Sequence, residues 1–254
     1  MPLFPAERHR RILNILESQG MVSSAELEQG LEVTAMTVWR DLKLLEERGQ
    51  LKRMRGGAVG LSGPAEVDFQ QKAIHARAAK RRIAAYVARK LLQPGDSLIL
   101  DGGTTIASLA ERPLPARLTI LTNSLAIAHA MQHHRARPSV YLSGGLLRPE
   151  SGTLVGREAV TFFSRRRATK LLLSATGLDA EAGVSDPNPQ EIEVKQAMAS
   201  RAQEVILMAD ASKLGVVSLM QTLPWRRVDR LVTDAPRKDP RLQGILSPKR
   251  VCSA

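Results

Sequence analysis

"EVTAMTVWRDLKLLEERGQLKRMRGGAV", residues 32–59, joins a strongly patterned helix to a short basic segment that ends in glycines. At about 100° per residue, Val38, Leu42 and Leu45 gather on one side of a helix running from Thr34 towards Gly49. Met36, Trp39, Arg40 and Lys43 gather on the other. One face is therefore core, and the opposite face carries cations and a large amphipathic ring that water tolerates poorly. Thr34 is suited to cap the helix start and Gly49 to follow its end. Leu51-Lys52-Arg53-Met54-Arg55 alternates with a period of two residues before Gly56-Gly57, as a small β-wing would.

Working outward, Ile12, Leu13 and Leu16 recur at helical spacing, with Gly20 as a stop. Ser23 opens a second helix with Glu26 three residues on, the spacing of a capping box, and Leu27 and Leu31 share one face. Helix, tight turn, helix and basic wing is the layout of a winged helix-turn-helix, whose third helix enters the major groove while Lys52, Arg53 and Arg55 meet phosphates. Arginine reads guanine edges through two hydrogen bonds, which makes Arg40 the first choice for base contact; Lys43 suits a phosphate equally well. Such charges on one isolated helix would most often be mere solvation, and it is the wing and the helix-turn spacing that favour DNA.

The stretch "ERHRRILNILESQGMVSSAELEQGLEVTAMTVWRDLKLLEERGQLKRMRGGAV" also resembles the N-terminal DNA-binding domain of the DeoR family of bacterial transcriptional regulators. Thr37-Val38-Trp39-Arg40-Asp41-Leu42, Leu45-Glu46-Glu47-Arg48-Gly49 and Arg55-Gly56-Gly57-Ala58 carry the likeness. The resemblance implies contact with double-stranded operator DNA through Thr34, Met36, Thr37, Trp39, Arg40, Lys43, Lys52, Arg53 and Arg55. Two departures stand out: Trp39-Arg40 where the family usually has paired arginines, and Glu32 where it usually has a glycine near the turn, with Gly30 close by.

The charge of the 254-residue chain, +12, favours polyanionic partners but is unevenly placed. Residues 1–60 hold 9 basic against 8 acidic side chains, 61–90 hold 7 against 2, 91–170 hold 10 against 5, and 171–254 hold 11 against 10. DNA binding by the first segment thus rests on local placement. With aromatics at 3%, single-strand readers built on base stacking are disfavoured. Cys252 is the only cysteine, which excludes an intrachain disulfide, and no apolar run approaches the roughly 18 residues needed to span a bilayer. The expected setting is the cytoplasm of the cell, with no membrane partner.

"GGAVGLSGPAEVDF", residues 56–69, is rich in Gly, Ala and Pro and reads as a hinge. Residues 70–92 have a helical pattern with Ile74, Ala78, Ile83, Val87 and Leu91 among basic side chains, by default a solvated face, with flanking DNA as the sharper alternative. From residue 97, short apolar strands alternate with helices: 97–100, 118–122, 140–142, 170–174, 205–208 and 230–233. That alternation predicts an α/β layer with a mainly parallel sheet, which binds ligands beyond the carboxyl ends of its strands. There lie Asp101-Gly102-Gly103-Thr104-Thr105, Thr122-Asn123-Ser124, Ser143-Gly144-Gly145 and Asp210-Ala211-Ser212-Lys213. Small polar loops of this kind suit a phosphate or polyol, although any strand-to-helix turn favours the same residues. Glu191 and Lys195 stand one helical turn apart, by default a surface ion pair.

These loops, with Pro94-Gly95-Asp96 and Glu193-Val194-Lys195, are similar to the C-terminal effector domain of the DeoR family, and the likeness spans most of residues 5–235. It implies a ribose-5-phosphate isomerase-like fold retained as a sensor of phosphorylated sugars or related metabolites. The implied pocket is Asp101, Gly103, Thr104, Thr105, Asn123, Ser124, Gly144, Gly145, Lys195, Asp210 and Lys213. The expected organisation is a winged helix-turn-helix at 1–59, a linker at 60–74, an effector domain at 75–236 and a tail at 237–254. The expected protein is a repressor of carbohydrate genes without cofactor or metal, working as a homodimer or homotetramer. The rival is a sugar-phosphate isomerase or lyase with a DNA-binding appendage, using Asp101, Glu191 or Asp210 as general base. No Walker-type loop, zinc-spaced cluster or serine triad is visible, and His133-His134 has a solvent-exposed, loop-like setting.

Overall fold

A computed structural model describes residues 4–19, 21–54, 56–60 and 69–254. The chain divides into two compact units between Gln71 and Lys72.

The first unit holds helices α1 (Pro5–Gln19), α2 (Ser24–Leu31) and α3 (Ala35–Glu47) and strands β1 (Met21–Ser23), β2 (Leu51–Met54) and β3 (Gly57–Gly60), with β3 between the other two. Its core is the predicted one: Ile12, Leu16, Leu27, Leu31, Val38, Leu42 and Leu45 pack together with Leu51. The Ser23–Glu26 capping box forms in both directions, and the Thr34 hydroxyl caps α3. Gly49 ends α3 with φ +65. The turn between α2 and α3 is made at Glu32 itself, which takes a left-handed conformation (φ 53), while Gly30 stays inside α2. β2 and β3 pair antiparallel, so residues 57–60, read from sequence as hinge, are the second strand of the wing. Gly57 is required there, because a Cβ would lie 2.1 Å from the Val22 carbonyl oxygen. Gly20, Arg55 and residues 61–68 of the expected linker lie outside the described residues.

The continuous helix expected over 70–92 is two helices, α4 (Phe69–Ile74) and α5 (Arg77–Lys90), broken where Ala76 turns left-handed (φ 50). Beyond it the second unit is built on a seven-stranded sheet. Its strands are β4 (Ser97–Leu100), β5 (Thr119–Thr122), β6 (Ser139–Leu142), β9 (Ala168–Leu173), β12 (Ala202–Met208), β14 (Arg230–Thr233) and β15 (Val251–Ser253). The order is β15-β14-β12-β9-β4-β5-β6, and every neighbouring pair is parallel. Side chains alternate between the faces, so one apolar run feeds two cores. Leu98, Leu100, Leu172, Ile206 and Met208 face α5, the short α6 (Thr104–Ala107) and α7 (Leu125–Gln132). Ile99, Leu171, Leu173, Val205 and Leu207 pack against α8 (Arg157–Ser164) and α9 (Pro189–Ala199).

Residues 237–254 are not a tail. Leu242 and Ile245 enter the core, and β15 completes the sheet edge with Val251 and Cys252 buried. Smaller pairings, β7 (Leu146–Arg148) with β8 (Thr153–Val155), and β10 (Gly177–Asp179) with β11 (Gly183–Asp186) and β13 (Met220–Leu223), stand beyond the carboxyl ends of the sheet strands in sequence.

Candidate DNA interface and effector site

In the first unit α3 presents the expected outer face. Met36 is 58% and Trp39 49% exposed, with Thr34, Arg40 and Lys43 exposed as well, while Thr37 is half-buried and engaged with the Thr34 hydroxyl at 3.1 Å. Arg40 and Lys52 are exposed and without a side-chain partner among the described residues. Trp39 organises the rest: the Lys43 ammonium lies 5.4 Å and the Arg53 guanidinium 5.3 Å from its ring centroid. Arg53 also meets Glu46 at 3.2 Å, and its backbone N–H donates to Glu46 at 2.8 Å. Trp39 therefore links wing and helix, with two cations seated on its ring.

Sequence reasoning missed Asp41. It sits on the core side of α3, 6% exposed, and accepts from Arg8 at 2.7 and 3.0 Å and from His9 at 2.9 Å, fixing α1 to α3. Burial would raise its carboxyl, but hydrogen bonds from Arg8 and His9 outweigh that and hold it below the ordinary value. A signal was present: an acid within the Val38–Leu42–Leu45 stripe demands a partner.

In the second unit the carboxyl ends of the strands converge on Lys195, 5% exposed. Its ammonium donates to Asp186 at 2.9 Å and to the Ser174 carbonyl at 3.2 Å, and lies 3.6 Å from Asp101. Loss of hydration on burial would lower its pKa, but the charges of Asp101, Asp186 and Glu191 outweigh that loss and hold it above the ordinary lysine value. Asp101 accepts from the Ser174 backbone at 3.0 Å and from its hydroxyl. Asp186 accepts from Thr176 at 3.0 Å and Thr222 at 2.7 Å. Glu191 accepts from Thr153 and Arg148, each at 2.9 Å; burial would raise its carboxyl, yet Lys195, Ser151 and Arg148 together hold it low. The Glu191–Lys195 pair is therefore an internal network, not the surface pair that spacing suggested.

The glycines of the first loop are steric necessities. A Cβ on Gly102 would lie 2.1 Å from the Thr153 methyl, and one on Gly103 2.3 Å from the Ser174 side chain. Thr105, Asn123 and Ser124 are buried, and Ser124 caps α7. The Asn123 amide donates to the Leu154 carbonyl at 3.0 Å, which leaves its oxygen buried and without a partner among the described residues. Asp210, 2% exposed, binds the Ser212 backbone and hydroxyl through one oxygen, while the other has no partner among the described residues. Beside it lies Lys80 of α5, which sequence reasoning left on a solvated face. Burial pushes its ammonium down to about 8; Asp210 opposes this, and the charges of Lys213 and Lys72 add to it. Lys80 donates to the Lys72 carbonyl.

Gly144 and Gly145 are exposed after β6, with no hydrogen bond to the Lys195 network among the described residues; a Cβ on Gly145 (φ +119) would lie 2.4 Å from the Val155 carbonyl oxygen. Asp186, Ser174, Thr176, Thr222, Arg148 and Lys80 were missed, since they reach the site only through pairings distant in sequence. His133 is exposed as expected, whereas His134 is half-buried and hydrogen-bonded to the Arg112 carbonyl at 2.9 Å, which corrects the expectation for that residue. Among the described residues no group of three or more His, Cys, Asp or Glu is placed to hold a metal, and no helix is long and apolar enough to cross a membrane.

Residues 8–62 match the family model of the DeoR-like helix-turn-helix domain, and residues 75–235 that of the DeoR C terminal sensor domain. The chain belongs to the DeoR family of transcriptional regulators. It is 35% identical to the HTH-type transcriptional regulator GlpR of Haloferax volcanii, with 91% of each chain covered. It is 33% identical to the glycerol-3-phosphate regulon repressor of Haemophilus influenzae over 90% of this chain and 89% of that one. Among solved structures, the sorbitol operon regulator SorC of Klebsiella pneumoniae aligns with TM-score 0.42 and 14% identity over 89% and 96% of the chains. Ribose 5-phosphate isomerase of Plasmodium falciparum aligns at 0.38 and 13% over 53% and 51%. As a DeoR-family regulator the chain works on DNA, and the α3 face with its wing is the surface suited to that contact.

Proposed function

We propose that this regulator represses carbohydrate-metabolism genes and leaves its operator when a phosphorylated sugar or related small anion binds the second unit. The observation that carries the reading is the group around Asp210. Two lysines, Lys80 and Lys213, repel one another beside a single carboxylate, and buried acceptors on Asp210 and Asn123 lack donors among the described residues. A phosphate ester suits this group: its anionic part relieves the lysines, and a hydroxyl donates to the open Asp210 oxygen. Thr104, Thr105 and Ser124 stand on neighbouring loops, and Lys195 braces the loops from beneath. Asp101 and Glu191, the other candidates for a general base, are already saturated with donors. A sensor that binds without turnover is the reading these partners favour. Paired half-sites on DNA call for a homodimer or homotetramer, since single winged-helix modules bind weakly.

Thermal shift against triose, pentose and hexose phosphates, beside the same sugars without phosphate, tests the proposal. A ligand at about 100 times its Kd adds about 2.7 kcal/mol, or roughly 5–10 °C for a domain this size. The active compound should loosen a gel-shifted operator complex and remain chemically unchanged. Shifts of equal size with unphosphorylated sugars would sink the reading.

A further inference from the structure

The charge distribution leaves a puzzle: the unit that resembles a DNA reader is nearly neutral, yet the chain carries +12. Topology shows where the excess collects. Because all seven strands of the large sheet run parallel, their amino-terminal ends share one edge, opposite the effector loops. Six of the seven are entered through a segment with a cation: Arg117 before β5, Arg137 before β6, Arg167 before β9, Arg201 before β12, Arg226 before β14 and Lys249 before β15. None of these six makes a side-chain hydrogen bond or ion pair among the described residues. Carboxylates at the same edge are engaged elsewhere, Asp96 with Lys170 at 2.7 Å, Glu204 with Arg230, and the half-exposed Asp229 with the Val205 backbone at 2.8 Å and Arg250 at 3.9 Å. The first turns of α5 differ: Arg77 and Arg81 converge on Glu111, Arg82 pairs with Asp234, and Lys80 is buried, whereas Arg89 and Lys90 at its carboxyl end are exposed with no side-chain partner among the described residues.

Cations after α7, α8 and α9 would be expected at helix carboxyl ends. That does not account for Arg117, Arg226 or Lys249, which follow no α-helix end. A second observation is independent of charge. Arg117 (φ 59) and Arg137 (φ 45) hold left-handed backbone, where a side chain costs about 1 kcal/mol or more that glycine would avoid. Two arginines kept at strained positions on one edge point to a role outside the fold.

We propose that this edge of the sensor domain is a second, sequence-independent contact surface for the phosphate backbone of duplex DNA. At a strand spacing of about 4.8 Å the edge runs about 29 Å, the length of eight or nine base pairs at about 3.4 Å each. Duplex DNA fits better than other polyanions because the chain already works on it and its reading head contributes little net charge.

The test is the salt dependence of full-length protein binding to a non-specific 40-base-pair duplex. Arg117→Gly/Arg137→Gly removes two charges and relieves two strained residues, so its melting temperature should hold or rise. Its slope of log K against log salt should flatten by about 0.9 for each phosphate the protein no longer neutralises. Should its melting temperature fall instead, Arg167→Gln/Arg226→Gln/Lys249→Gln, all exposed, is measured the same way and must flatten the slope. Lys52→Ala reports the winged-helix contribution separately. An unchanged slope in stable variants overturns the proposal. So does an unchanged slope with loss of binding to phosphatidylserine vesicles or to single-stranded RNA, which would assign the edge to that partner.

Discussion

Replacing Lys195 with methionine removes one ammonium and keeps a side chain of similar reach, leaving Asp101 and Asp186 buried without their shared counter-ion. Breaking one side of such a buried pair costs about 3–5 kcal/mol. At about 2–4 °C per kcal/mol for a domain this size, the second unit should melt roughly 6–20 °C lower. Trp225, whose indole N–H donates to the Asp179 carbonyl at 2.7 Å, reports that transition in a Trp39→Phe background. Asp186→Asn should be costly alone, because Thr176 and Thr222 also donate to it. The double variant should lose less than the sum of the two, with a coupling of at least about 1 kcal/mol. The pH dependence has a definite sign. The folded pKa of Lys195 lies above the unfolded value, so its contribution is complete below the ordinary lysine value of 10.5 and is lost only as pH rises through the folded pKa. The gap between wild type and Lys195→Met should therefore stay constant from about pH 8 to 10 and close only above that. A loss under about 2 °C, or strict additivity in the double variant, would refute the view that Lys195 braces these loops.

Glu32→Gly should raise the melting temperature of the first unit, because the left-handed turn residue then carries no Cβ, a gain of about 1 kcal/mol; a melting curve of residues 1–71 within the full chain checks it. The Asp41 carboxyl is held low, so its contribution is present above the ordinary carboxylate range and is lost as pH falls through its folded value. Acid titration should therefore unfold the first unit below about pH 4, with Asp41→Asn less stable at neutral pH and flatter in acid. Arg40→Ala should cost about 1–3 kcal/mol in discrimination between operator and random duplex, read from competition binding, while leaving melting unchanged. Trp39→Ala should free Arg53 and Lys43 and weaken binding to all sequences alike; a loss confined to one base position would count against its bracing role.

Local physics made much of this protein readable from sequence. Capping by Ser23 and Thr34, the Val38–Leu42–Leu45 stripe, and two strands at 97–100 and 230–233 depend on neighbours within a few residues, where side-chain periodicity and hydrogen-bonding chemistry act directly. The loops bearing Asp101, Asn123 and Asp210 were legible for the same reason, since parallel strands place their ends together. What tertiary structure decided were pairings that span large sequence separations. Asp41 meets Arg8 across 33 residues, Thr222 reaches Asp186 across 36, and Ser174 closes on Asp101 across 73. Burial turned Lys195 and Lys80 from apparent surface cations into interior charges, and β14 drew residues 251–253 out of an expected tail into the sheet. A charge pattern states only that a lysine exists; whether water or two carboxylates surround it is settled by how the strands are ordered.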